Sequence, residues 1–251
     1  RSAGGKPWDM SRRSGGMHYT SIENIHKVID PLFLDGLRKE LDEIREISVV
    51  RTRTAKLKAF QEKLAELTFL DPACGSGNFL TETYISLRRL ENEVIRSLID
   101  AQKGAAAGQI MMGLEGDLTP IMVSIQQFYG IEINDFAATV AKTALWIAES
   151  QMMKQTEDIV HMNLDFLPLK SYVNIVEGNA LRLDWAEVVP KDKLDYIMGN
   201  PPFVGARLMT QEQKNDLTPL FAGCKNIGNL DYVGGWYMKA AQMMQTNSAI
   251  R

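Results

Sequence analysis

Two short stretches of this chain carry residue types that could do chemistry. The first, Leu67-Thr-Phe-Leu-Asp-Pro-Ala-Cys-Gly-Ser-Gly-Asn-Phe-Leu80, is an apolar run that ends in Asp71 and turns through Pro72, Ala73, Cys74, Gly75, Ser76 and Gly77 before Phe79. An acid followed by small residues lets a ligand approach the backbone closely. Gly75 and Gly77 have no Cβ, so the main chain can bend sharply and present its N–H groups. No Lys-Ser/Thr pair follows, which argues against a triphosphate, and Asp71 would repel a pyrophosphate. A cationic ligand suits it better. The second stretch, Asp195-Tyr-Ile-Met-Gly-Asn-Pro-Pro-Phe203, runs from a short strand into Asn200, Pro201, Pro202 and Phe203. The Asn200 side-chain oxygen and the Pro201 carbonyl are acceptors that could hold the two hydrogens of an amino group. They would favour a more tetrahedral nitrogen and free a lone pair that conjugation to a ring withdraws. The prolines keep the backbone extended and bring no competing N–H. Phe203 offers a flat face for stacking.

In this pairing, Asp-Pro-Ala-Cys-Gly-Ser-Gly with Asn-Pro-Pro-Phe resembles the motifs of S-adenosylmethionine-dependent amino-methyltransferases, in particular the DNA adenine-N6 group. The resemblance covers the chain from about Gly16 onward. It implies a Rossmann-like α/β fold, S-adenosylmethionine as cofactor, and direct methyl displacement onto a base turned out of the duplex, with positioning as the main source of rate. Asn200, Pro201, Pro202 and Phe203 would then carry the reaction. Asp71, Pro72 and the Ala73–Gly77 loop with Phe79 would hold the methionine portion. Glu132 could accept from both ribose hydroxyls, Asn179 from the adenine amino group, and the Ala180 N–H could donate to the ring. Met17-His18-Tyr19-Thr20 resembles the family's tenth motif, in which Tyr19 and Thr20 would close over the cofactor. Its place ahead of the glycine motif, with Asn-Pro-Pro-Phe after both, matches the gamma order. Asn229 to Lys239 looks like the helix after the catalytic loop in large MmeI-like and phage-defence methylases, although core packing explains its aromatic spacing equally well. The cysteine of cytosine C5 methylation stands in a Pro-Cys context where this chain has Asn-Pro-Pro-Phe, so Cys74 reads as a small buried loop residue. One departure concerns Glu132, which lies 61 positions beyond Asp71. Dinucleotide folds place that acid about 20 residues on, so an insertion of roughly 35 to 40 residues is implied.

The elements that must position these residues follow from local pattern. Ser21 caps a first helix with Ile22, Ile25, Val28 and Ile29 at helical spacing. Pro31 restarts a second, with Leu34, Leu37, Leu41 and Ile44 on one face. A third runs from about Thr54 to Leu67 with Leu57, Phe60 and Leu64 inward. Arg51, Arg53, Lys56 and Lys58 cluster here, as a solvated surface or a phosphate-contacting face. After the glycine loop a helix opens near Asn78 and runs to about Leu98, and Gly104 to Gly108 reads as a surface excursion. Strands are predicted near Gln127–Glu132, Val173–Glu177 and Asp195–Gly199. Asp135 is predicted to cap a long helix to about Met153, and the last helices fall near 210–220 and 231–246. The alternation gives a doubly wound α/β fold with a parallel sheet, with acid, acid and amide (Asp71, Glu132, Asn179) at the strand ends. The expected division is a lead-in and N-terminal helical segment over 1–66 carrying Tyr19-Thr20, and a methyltransferase catalytic core over 67–251 that is incomplete, its sheet truncated at the C-terminal side.

Composition sets the remaining bounds. With 251 residues, 45% apolar and 24% charged, the chain is long enough for one large domain. No apolar run approaches the roughly 20 residues that span a bilayer, and no secretory signal is visible, so a cytoplasmic location is the default. Two cysteines and three scattered histidines give neither a disulfide framework nor metal-ligand spacing. A net charge of −3 argues against a broadly basic face, so contacts to double-stranded DNA are expected mainly outside this chain. The start without Met and the end at Ile250-Arg251 point to a fragment of a longer polypeptide; in the MmeI-like branch further strands and a target-recognition domain would follow Arg251, and whether a nuclease is fused to it stays open. Glu212-Gln213-Lys214 has a nuclease-like spacing but sits on a predicted helix without a partner acid, so it reads as a solvated face. Two alternatives stay open: methylation of protein glutamine or RNA, and a non-catalytic subunit that binds cofactor or DNA.

Overall fold

Short runs rich in aromatic and β-branched residues, bounded by polar turns, become the strands of one parallel sheet. These are Phe69–Asp71 (β1), Phe128–Glu132 (β2), Asn174–Glu177 (β3) and Tyr196–Ile197 (β4), in the order β3-β2-β1-β4. The structure, a computed structural model, describes residues 20–103, 120–161, 164 and 173–251. Tyr19 with the lead-in before it, and the predicted excursion at Gly104–Gly108, lie outside the described residues. Parallel register sets Phe69 opposite both Phe128 and Tyr196. The three rings line one face of the sheet with centroids 5.2 and 5.3 Å apart. On the other face Leu70 and Ile131 pack with Trp185, Leu217 and Trp236. Both faces are therefore covered, as a parallel sheet requires. Chain progression goes outward from β1 to β3 and then jumps back past β1 to β4. That reversal opens a crevice beyond the carboxyl ends of β1 and β4.

The N-terminal helices cover the aromatic face. The first, Ile22–Ile29 (α1), is capped by Ser21, whose hydroxyl accepts from the Asn24 N–H at 3.4 Å. Ile25 and Ile29 are buried, but Ile22 in the first turn is 54% exposed and Val28 is also exposed. Pro31 does not restart a separate helix. The chain continues through a π-helical turn, Asp30–Leu34, where the Asp35 N–H reaches back to the Asp30 carbonyl, and on into Asp35–Arg45 (α2). The wider turn accommodates a residue without an N–H and sets Phe33 against Phe69 and Tyr196, at 5.2 and 5.0 Å. Helix α3 spans Val50–Glu66, one turn earlier than predicted. Arg53 caps the Ile47 carbonyl at 2.9 Å, while Arg51, Lys56 and Lys58 are exposed.

Two long helices follow β1 and β2: Asn78–Lys103 (α4) and Asp135–Val160 (α5). Asn134, not Asp135, caps α5, accepting from the Ala137 N–H at 2.9 Å. Asp135 is already inside the first turn, where its charge still favours the helix dipole. Between α3, α4 and α5 lies a buried polar network. The Arg88–Glu91 ion pair is extended by Gln61 and by Thr156, at 3.0 and 2.8 Å. Glu91 also accepts from Met122 and Val123, at 2.6 and 3.1 Å, which fixes the chain as it re-enters toward β2. Helices Trp185–Val188 (α6), Gln211–Leu220 (α7) and Gly234–Thr246 (α8) cover the opposite face. Along the outer edge of β4, Arg251 donates to the Asp195 carbonyl at 2.8 Å and accepts from the Ile197 N–H at 2.9 Å. No described helix is long and apolar enough to cross a membrane.

Candidate active site

The crevice holds a cleft of about 470 Å³, bounded on one side by the end of β1 and the glycine loop and on the other by the chain after β4. That size suits a cofactor. Each turn of the glycine loop is held by an identifiable bond. The Ala73 N–H donates to Asp71 Oδ1 at 3.0 Å, and the Cys74 N–H donates to the Ile131 carbonyl at 3.1 Å, which ties the loop to β2. The Gly75 N–H donates to Glu132 Oε2 at 2.8 Å, and the Gly77 N–H to the Cys74 carbonyl at 2.8 Å. Both glycine N–H groups are thus spent inside the protein, whereas the sequence predicted that they face a ligand. The glycines serve conformation and packing instead. Gly75 and Gly77 have φ of 54° and 80°, and a Cβ on Gly77 would lie 2.9 Å from the Ala141 side chain of α5. The close approach at Gly77 is by a helix, not a ligand.

Asp71 is 1% exposed, and among the described residues it has no ion-pair partner. Burial pushes its pKa up to about 7, against the pull of the Ala73 N–H, and the charge of nearby Glu132 adds to the rise. A Cβ on Gly199, whose φ is 152°, would sit 2.3 Å from Asp71 Oδ1. Glycine at that position is what allows the acid and the chain after β4 to meet. Burial also raises the Cys74 thiol well above its ordinary pKa, so it is no nucleophile at neutral pH. Its sulfur packs at Gly130, as a small core residue does.

Glu132 and Asn179 border the cleft at the ends of β2 and β3, with part of their capacity already used. Glu132 accepts from Gly75 with one oxygen and from the Asn134 N–H with the other, at 2.9 Å. One further lone pair on each oxygen is left for a diol. Asn179 Oδ1 accepts from the Leu181 N–H at 2.9 Å, and its Nδ2 donates to Asp216 Oδ2 at 2.9 Å. Ala180 lines the cleft beside it. On the opposite wall stand Asn200, Pro202 and Thr20. Asn200 Nδ2 donates to Thr20 Oγ1 at 3.4 Å, so the segment ahead of α1 reaches the chain after β4 across the mouth of the cleft. Phe203 points outward and is 68% exposed.

Of the predicted residues, Asp71, Pro72, Ala73, Cys74, Gly75, Ser76, Phe79, Glu132, Asn179, Ala180, Asn200, Pro202 and Thr20 share this one cleft. Gly77 stands behind it, Pro201 and Phe203 lie beside it, and Tyr19 is outside the described residues. The sequence missed Gly199, Asp216, Tyr232 and Trp236. Trp236 donates to the Pro72 carbonyl at 3.0 Å, and the Val204 N–H donates to Asp231 Oδ1 at 3.0 Å. The Asn229–Lys239 stretch therefore supports the glycine loop and the chain after Phe203 together. Glu212 pairs with Arg182 at 2.8 Å, and Gln213 closes a capping box with Thr210. That accounts for the apparent nuclease spacing.

A parallel sheet with this order, helices on both faces and a cleft at the switch between β1 and β4 defines a class I, Rossmann-like methyltransferase fold with an N-terminal helical extension. The chain belongs to the family described as MmeI, DNA-methyltransferase domain, which matches residues 47–250. It is 41% identical over 246 residues to DNA methyltransferase A of Bacillus subtilis (strain 168), covering 95% of this chain and 26% of that protein. It superposes with a TM-score of 0.84 and 43% identity on the Type IIL restriction-modification enzyme MmeI, solved in complex with DNA, covering 96% of this chain and 30% of that one. The chain thus spans between a quarter and a third of the length of these relatives.

Proposed function

We propose that this chain is the catalytic core of an S-adenosylmethionine-dependent enzyme that methylates adenine N6 in double-stranded DNA, within a restriction–modification or phage-defence polypeptide. One observation carries the proposal: the acid, acid and amide at the ends of β1, β2 and β3 share a single cleft with Asn200 and Pro202. The residues present fit the cofactor. Asp71 is a buried carboxylate that no cation among the described residues pairs with, and a ligand bearing an amine and a sulfonium supplies one. Glu132 keeps acceptor capacity for two hydroxyls, and Asn179 keeps a lone pair for an amino group. When bound, S-adenosylmethionine supplies an electrophilic methyl group. The protein's part is to hold the target amine: Asn200 Oδ1 and the Pro201 carbonyl accept its two hydrogens and leave the nitrogen lone pair free. Phe203, exposed at the rim, stacks on the turned-out base. Target recognition and any nuclease activity belong to other parts of the polypeptide.

Substituting Asn200 separates chemistry from binding. In the full-length protein, Asn200→Ala is expected to lower DNA methylation by at least about 100-fold, the scale on which aligned polar groups act. The dissociation constant for S-adenosylhomocysteine should stay within about threefold, since Asn200 lies across the cleft from the cofactor-binding edge. Methylation near the parent rate would remove Asn200 from the reaction.

A further inference from the structure

Nothing in the sequence distinguishes Asp216, one acid in a polar helix. In the structure it is 8% exposed, borders the cleft from α7, and receives three donors. Oδ2 accepts from Asn179 Nδ2 at 2.9 Å and from the Tyr232 hydroxyl at 3.1 Å, and Oδ1 accepts from Arg182 Nε at 2.7 Å. Arg182 in turn pairs with Glu212 at 2.8 Å. With most of its acceptor capacity engaged, Asp216 is better placed to act through its neighbours than on a ligand directly.

The neighbour that matters is Asn179. An ionised carboxylate has only acceptors, so only the NH2 end of the Asn179 amide can face Asp216; a backbone N–H only donates, so only the oxygen can face Leu181. The two bonds together fix which way the amide is turned. Without the carboxylate, the amide loses the partner that holds its nitrogen end, and the Leu181 N–H alone is left to tell its oxygen from its nitrogen. It could then show a ligand a donor where it now shows an acceptor. Burial and the Asp216 charge raise the pKa of Tyr232, so its hydroxyl stays protonated and donates to Asp216 throughout the neutral range.

We infer that Asp216 is a positioning residue that holds the Asn179 oxygen toward the purine and so sets a preference for a 6-amino over a 6-oxo purine in the bound cofactor. The inference rests on the adenosyl placement proposed above. It also gives α7, which follows the Asn200–Phe203 segment in the chain, a hold on the cofactor end of the cleft.

The test compares dissociation constants of S-adenosylhomocysteine and S-inosylhomocysteine, measured by calorimetry on the full-length protein. The parent is expected to prefer the adenosyl ligand. In Asp216→Ala the ratio of the two constants should shrink by about tenfold, mostly through weaker adenosyl binding. In Tyr232→Phe, which leaves the Asn179–Asp216 bond intact, the ratio should hold. If both ligands weaken in equal proportion in Asp216→Ala, Asp216 is only structural and the inference is overturned. Should that variant not fold, the near-isosteric Asp216→Asn carries the same expectation, since its own amide no longer excludes the Asn179 oxygen, and an unchanged ratio there overturns the inference too. A parent protein that does not distinguish the two ligands overturns the placement of the purine against Asn179 itself, and the role of Asp216 with it.

Discussion

Asp71 stands in a position costly for a charge: a carboxylate buried at the end of β1, with Glu132 nearby and the Gly199 backbone against it. Its pKa of about 7 lies above the ordinary 3.8, so between those values the folded protein keeps a proton that the unfolded chain has released. The stability contributed by the neutral acid is complete below about pH 4 and is lost as pH rises through 7. A cationic ligand reverses the preference, because it favours the ionised form. Asp71→Asn keeps an acceptor for the Ala73 N–H and removes the titration. Without ligand, this variant should melt at a higher temperature than the parent at pH 8 and no higher at pH 4. It should also bind S-adenosylmethionine about tenfold or more weakly at pH 8. Thermal melts and calorimetry at the two pH values check both halves; an unchanged affinity would leave Asp71 without a role toward the cofactor. The sequence reveals that Asp71 is special, since an acid between an apolar run and two glycines has few other uses. It does not reveal that the loop N–H groups turn inward, because their partners, the Glu132 carboxylate and the Cys74 carbonyl, are set by tertiary placement and local turn geometry.

At the scale of elements, one histidine clamps α1 to α4. His26 Nδ1 lies 2.9 Å from Asp30 Oδ1, and Nε2 lies 3.0 Å from Glu82 Oε1 on α4. Both ring nitrogens can donate to these carboxylates only as imidazolium. The pKa of His26 is raised above 6.5, first by the hydrogen bond to Asp30, with burial opposing and Glu82 adding to the rise. The carboxylates have other partners as well: Arg38 reaches Asp30 at 3.4 Å and Arg89 reaches Glu82 at 3.8 Å. The clamp's contribution is therefore complete below pH 6.5 and is lost as pH rises through the raised value. Hydrogen-exchange protection of α1, corrected for intrinsic exchange, should fall between pH 6 and pH 9 in the parent. In His26→Gln it should be low and nearly independent of pH, and a parent-like profile there would contradict the clamp. Thr20 sits just ahead of α1 and meets Asn200 at the mouth of the cleft. Helices were legible wherever apolar spacing and a cap coincide, as at Ser21. The π-turn at Pro31 was not, because proline reads locally as a break and only packing of Phe33 on the sheet gives the wider turn a reason to form.

For the molecule as a whole, strand alternation made the α/β class legible, and two motifs at strand ends located the cleft. The strand order is seen only in the structure, since no local pattern in the sequence states which side of β1 receives β4. The helices that close the cleft, α7 and α8, fall where the sequence predicts helices, but their part in the cleft does not show in the sequence because it consists of single polar atoms: Asp216 on Asn179 and Trp236 on the Pro72 carbonyl. One cleft joining Asp71, Glu132 and Asn179 to Asn200 makes a definite claim about what leaves it and what accepts it. The most direct measurement supplies the full-length protein with methyl-labelled S-adenosylmethionine and offers duplex DNA, RNA and cell protein in parallel. The DNA is then digested to nucleosides. The expected result is label in N6-methyladenine from duplex DNA alone. Label in RNA or protein instead, or cofactor binding with no transfer to any of the three, would contradict the account.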